Sequence, residues 1–127
     1  MKWVLVCVCL LGLACGKAKP TAQTVCAQLA TSGVAANCKD GGPAGGLGSA
    51  ASEYVVFDLP SVPGETGQVL RFEKPSDYAA TVKAFDAAAV LAGRHRYGSE
   101  SALIFVQLNS KASSDVGAKA DAIVKGL

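Results

Sequence analysis

The chain has 127 residues, with 12 lysines and arginines, 10 aspartates and glutamates and one histidine, for a formal net charge of +2. That length suits one ordinary domain with a core of its own, and the near-balance of charge gives no reason to expect nucleic acid or a strongly charged partner. Half of the residues are hydrophobic (50%), but the excess sits in an apolar leader and in alanines, which is not the pattern of a membrane-spanning chain.

Lys2 precedes an apolar run, Trp3 to Leu13, that ends at Gly16-Lys17-Ala18-Lys19-Pro20. A spanning helix needs about 20 apolar residues, so this run is too short to cross a bilayer. A positive charge, a short apolar stretch and small residues at its end make a secretory signal. Ala14 stands just before Cys15 and Gly16 just after it, with Gly12 and Leu13 in the reverse of the usual order. Over residues 1–16 the arrangement resembles a bacterial lipoprotein signal peptide. The resemblance implies that residues 1–14 are removed and that Cys15 becomes the lipid-modified, palmitate-bearing N-terminus. Residues 15–20 would then form a short lipidated tether and residues 21–127 a single globular domain. Loss of Lys2 leaves 11 basic and 10 acidic side chains on the mature chain. Gly16, where an aspartate would signal retention, implies an outer-membrane lipoprotein facing the periplasm.

Cys7 and Cys9 lie in the leader, and Cys15 is the lipidation site, so Cys26 and Cys38 remain. In an exported, oxidising setting they form one available bridge, closing a loop worth about 3 kcal/mol in the chain-entropy model. The alternatives are free thiols or a redox dithiol, although the spacing is not Cys-x-x-Cys.

Thr21 to Ser32 reads as a helix, with Val25 and Leu29 on one face, Thr21 or Thr24 as cap and Gly33 as stop. The run from 40 to 52 is glycine-rich, with little to bury, and reads as a flexible loop. It lacks the Gly-Lys-Ser/Thr ending of a phosphate loop. Glu53–Leu59 and Gln68–Glu73 read as strands joined through Pro60–Gly67, a long hairpin loop. That loop is either a tolerated insertion or a binding element.

Lys74-Pro75-Ser76 opens the strongest helix, with Ser76 as N-cap and Asp77 in the first turn. Tyr78, Val82, Phe85 and Ala89 share a face that Val90 and Leu91 extend, and Gly93 stops it. Ala102–Leu108 is the best strand and reads as the central one. A last helix runs from Ser113 or Ser114 to Val124, with Val116, Ala120, Ile123, Val124 and Leu127 inward. The order helix-strand-strand-helix-strand-helix predicts a small α+β sandwich, with helices on one face of a three-stranded sheet.

Chemistry has few places to sit. His95, the single histidine, lies in Arg94-His95-Arg96-Tyr97. Those residue types grip anions such as phosphate or carboxylate, but Arg94 and His95 also complement the negative end of a helix stopping at Gly93. No ligand spacing for a metal and no nucleophile elbow is present, and no cofactor is expected. The sequence therefore predicts a non-enzymatic, lipid-anchored envelope protein that contacts the membrane through its lipid and other envelope proteins through its loops. The alternative is a small-ligand or anion-binding module using Arg94, His95, Arg96 and Tyr97.

Overall fold

Thr21 and Thr24 cap each other at the start of the first helix. Thr21 Oγ1 accepts from the Thr24 N–H (3.1 Å), and Thr24 Oγ1 accepts from the Thr21 N–H (3.0 Å). This reciprocal capping box opens α1 (Ala22–Thr31), which buries Ala22, Val25, Cys26 and Leu29. Gly33 closes it at φ +85°, and the Val34 N–H reaches back to the Leu29 carbonyl (2.9 Å). The computed structural model describes residues 19–127; the leader, Cys15 and most of the tether lie outside the described residues.

The remaining elements are β1 (Ala36–Asp40), β2 (Glu53–Asp58), β3 (Thr66–Arg71), α2 (Pro75–Ala87), α3 (Ala89–Ala92), β4 (Arg96–Ser99), β5 (Ile104–Leu108) and α4 (Ser114–Lys125). The fold is α+β, with an antiparallel sheet of order β1-β2-β3-β5-β4. Five strands replace the expected three. The two additions are the edges, where the sequence pattern is weakest. β1 is Ala-Asn-Cys-Lys-Asp, with Asn37 at φ +55° and a register shift between Ala36 and Lys39. β4 is four residues long and contains Gly98. The apolar 104–108 segment is an interior strand, but β3 takes the centre.

The helices also divide between two faces, not one. Val55, Phe57, Val69, Ile104, Val106 and Leu108 face a core closed by α1 and α4. Leu70 and Phe105 face a second core with Phe72, Tyr78 and Phe85 of the α2 region, where the Phe85 and Phe105 rings lie 4.8 Å apart. Cores on both faces of β5, with Ile104, Val106 and Leu108 in one and Phe105 in the other, explain why that strand is nearly continuous in apolar residues.

The glycine-rich segment belongs to this second core. A short 3₁₀ turn, Gly46–Gly48, lies across Leu70, and a Cβ on Gly48 would sit 2.9 Å from Leu70 Cδ1. Ala44 and Ala51 pack beside it. Glycine here permits close approach of backbone to side chain.

Two further expectations change. Lys74 is the N-cap residue of α2 and Pro75 fills its first turn, so Ser76 lies inside the helix; proline is preorganised for that position. The apolar stripe of α2 does not continue into Val90 and Leu91. The helix breaks at Ala88 (φ −101°, ψ 30°), the next turn is rotated, and Ala92 is buried while Val90 and Leu91 are 98% and 89% exposed. The expected Pro60–Gly67 loop is shorter, because Thr66 and Gly67 belong to β3, and what remains is a pinned turn. Val62 packs on the first core, and Glu65 binds Lys111 Nζ (2.8 Å) and Asn109 Nδ2 (3.1 Å).

Candidate functional site

Arg94, His95, Arg96 and Tyr97 lead into and begin β4. Residues 95 and 97 alternate onto the α4 side of the sheet, and this placement decides what their side chains do. His95 is 3% exposed. Its Nε2 lies 2.7 Å from the Ala112 carbonyl oxygen and its Nδ1 2.8 Å from Tyr97 Oη. A carbonyl can only accept, so Nε2 carries the hydrogen; in the neutral ring Nδ1 then accepts from the Tyr97 hydroxyl. Arg94 donates to the same Ala112 oxygen (3.0 Å). These two side chains tie the start of β4 to the turn that leads into α4.

Arg96 turns to the other face. Its Nε donates to the Gly93 carbonyl (2.7 Å), and its guanidinium pairs with Asp86 in α2. Complementing a helix end was the sequence expectation for Arg94 and His95; Arg96 takes that part, at the C-terminus of α3. Arg94, His95 and Tyr97 therefore form one group around the Ala112 carbonyl, while Arg96 binds Gly93 and Asp86 on the other face. Both ring nitrogens of His95 are held by Tyr97 and Ala112, with neither a carboxylate nor a serine on them. Among the described residues, no group of three or more His, Cys, Asp or Glu side chains is placed to hold a metal ion, and no helix is long and apolar enough to cross a membrane.

Gly117, inside α4, makes room for this arrangement. A Cβ there would lie 2.4 Å from Tyr97 Oη and 2.6 Å from His95 Nδ1. A glycine inside a helix costs about 1 kcal/mol relative to alanine, and that cost was the one signal in the sequence that something packs against α4 at this point. Nothing in the sequence singles out Ala112, whose contribution is a backbone carbonyl.

The Tyr97 hydroxyl is pushed above the ordinary tyrosine value of 10.0 by burial first and by Asp121 second, against a lowering from Arg94. Tyr78 is raised by burial and then by Glu100. A folded Tyr97 keeps its proton where the unfolded chain loses it. Its contribution to stability is thus complete below the unfolded value and is lost as pH climbs through the folded one. Ultraviolet titration of folded protein is expected to show late-ionising tyrosine, of which Tyr97→Phe removes one hydroxyl. Superimposable wild-type and Tyr97→Phe curves above the ordinary range would contradict this.

Cys26 and Cys38 are bonded, with Cα atoms 6.1 Å apart and a sequence separation of 12. The bridge fastens α1 to the edge strand β1. Among the described residues, clefts open between β2–β3 and the α3 turn, beside β1 and β2, and along α2, and none of these three is lined by Arg94, His95, Arg96 or Tyr97. Comparison with protein-family models, with curated proteins and with solved structures finds no match for this chain.

Proposed function

We propose that this protein is a lipid-anchored component of a bacterial cell envelope, held by acyl chains on Cys15 and acting through non-covalent contacts and not as a catalyst. The observation that carries the reading is the apolar leader ending at Ala14-Cys15-Gly16, followed after only a few residues by a disulfide-stapled domain. The domain begins at once after the tether: the Ala22 N–H donates to Glu53 Oε1 (2.8 Å). Six residues from Cys15 to Thr21 reach at most about 20 Å, so the domain stays close to the bilayer. One acyl chain gives marginal membrane binding, and stable anchoring needs a second. Gly16 supports sorting to the outer membrane, facing the periplasm, with other envelope proteins as partners.

The engagement of Arg94, His95 and Arg96 with Ala112, Gly93 and Asp86 supports a bracing role for this segment over an anion site. The reading predicts that Cys15→Ala moves the protein from the membrane fraction to the soluble fraction without lowering its melting temperature. Retention of Cys15→Ala in washed membranes would contradict it.

A further inference from the structure

The second face of the sheet is only partly covered. Beside the α2 core, a cleft of about 290 Å³ opens between β2–β3 and the α3 turn, near the lower end of the range for small-molecule sites. Twelve residues line it, and none carries a charge. Its polar groups are hydroxyls and carboxamides, from Thr66, Gln68, Gln107, Asn109 and Ser110. Its apolar groups include the half-buried Tyr54 ring and the exposed Leu91.

The two glutamines are oriented by a chain of hydrogen bonds. Gln107 Nε2 donates to the Ala92 carbonyl, which fixes the flip of that carboxamide and turns its oxygen toward Gln68. Gln68 Nε2 donates to that oxygen (2.5 Å). Gln68 makes no other side-chain hydrogen bond among the described residues. Its Oε1 and second N–H thus form an acceptor and a donor side by side, held in one orientation at the cleft.

Three classes of ligand meet this lining differently. An ion would leave water with no opposite charge to receive it. A wholly apolar ligand would cover the carboxamides and leave them unpaired. A ring bearing neutral hydroxyls satisfies both constraints, because each hydroxyl donates and accepts while the C–H faces of the ring cover Tyr54 and Leu91. We infer that this cleft binds a neutral saccharide, with the Gln68 carboxamide reading its hydroxyl groups. The inference goes beyond the anchored-protein reading and does not rest on it, since the cleft is the same whether or not Cys15 carries lipid.

The test is a titration of the isotope-labelled protein with maltotriose, cellotriose and triacetylchitotriose, and with acetylated trialanine amide as a peptide probe, followed by nuclear magnetic resonance. At least one trisaccharide is expected to shift the amides of Gln68, Gln107, Ala92 and Gly93 saturably. Gln68→Leu is expected to weaken that binding about tenfold, as for loss of one well-placed polar contact, and Leu91→Ser to weaken it measurably. Gln28→Leu, on the exposed side of α1, should leave it unchanged. The inference is overturned if no trisaccharide shifts the cleft amides, if only the peptide does so, or if Gln68→Leu and Leu91→Ser both bind as wild type does.

Discussion

Gly117→Ala is expected to destabilise the protein by about 2 kcal/mol, the opposite of what the same change does in a solvated helix. There the added methyl relieves glycine's conformational cost and stabilises by about 1 kcal/mol. Here the methyl would enter the space of Tyr97 Oη and His95 Nδ1, at 2.4 and 2.6 Å. Overpacking of this kind costs about 1–3 kcal/mol, and displacing the tyrosine leaves a buried ring nitrogen unpaired at a further cost of about 1–3 kcal/mol. The steric and hydrogen-bonding losses exceed the propensity gain. For a domain of this size the melting temperature should fall by roughly 10 °C. In a His95→Ala background the same substitution should cost less, because part of what it collides with has gone. A wild-type or higher melting temperature for Gly117→Ala would show that α4 does not rest on the His95–Tyr97 pair.

The second large effect belongs to the disulfide. Replacing both Cys26 and Cys38 by alanine frees a loop whose ends are 12 residues apart, worth about 3 kcal/mol in the chain-entropy model. The melting temperature under oxidising conditions should fall by roughly 15 °C. The loss should be local before it is global. β1 is an edge strand with a register shift, and the bridge is its covalent link to the buried face of α1. Hydrogen exchange should therefore accelerate first in β1 and later in β3 and β5. An unchanged melting temperature, or uniform acceleration across the sheet, would contradict this role for the bridge.

Both sites show what a sequence of this kind discloses. The helices were legible because their signals are local: Thr21 and Ser113 as caps, Gly33 as a stop, and apolar residues at helical spacing in 22–31 and 75–87. The β2–β3 hairpin was legible because Tyr54-Val55-Val56-Phe57 and Val69 to Phe72 carry strand-forming side chains in a period of two. The edge strands were not. β1 has no β-branched or aromatic residue, and β4 is short; both form because a neighbouring strand offers partners, which is a tertiary fact. The break at Ala88 was hidden for a related reason. Its alanine-rich surroundings favour helix throughout, so nothing local warns that Val90 and Leu91 leave the apolar face. At the His95 site the residue types were visible, but their use was not, because Ala112 and Gly117 lie 17 and 22 positions further along the chain. The glycine-rich run illustrates the converse, since the same composition that suggests a loose loop also lets backbone lie flat against Leu70.

The central claim, a disulfide-stapled domain on a lipid anchor, is tested most directly by intact mass spectrometry of the protein purified from its native membrane, with and without reductant. The account predicts a chain that begins at Cys15, carries a diacylglyceryl-type mass increment with further acylation, and gains two hydrogens on reduction. An unlipidated chain, or one that still carries residues 1–14, would contradict the anchor, and an unchanged mass on reduction would contradict the bridge.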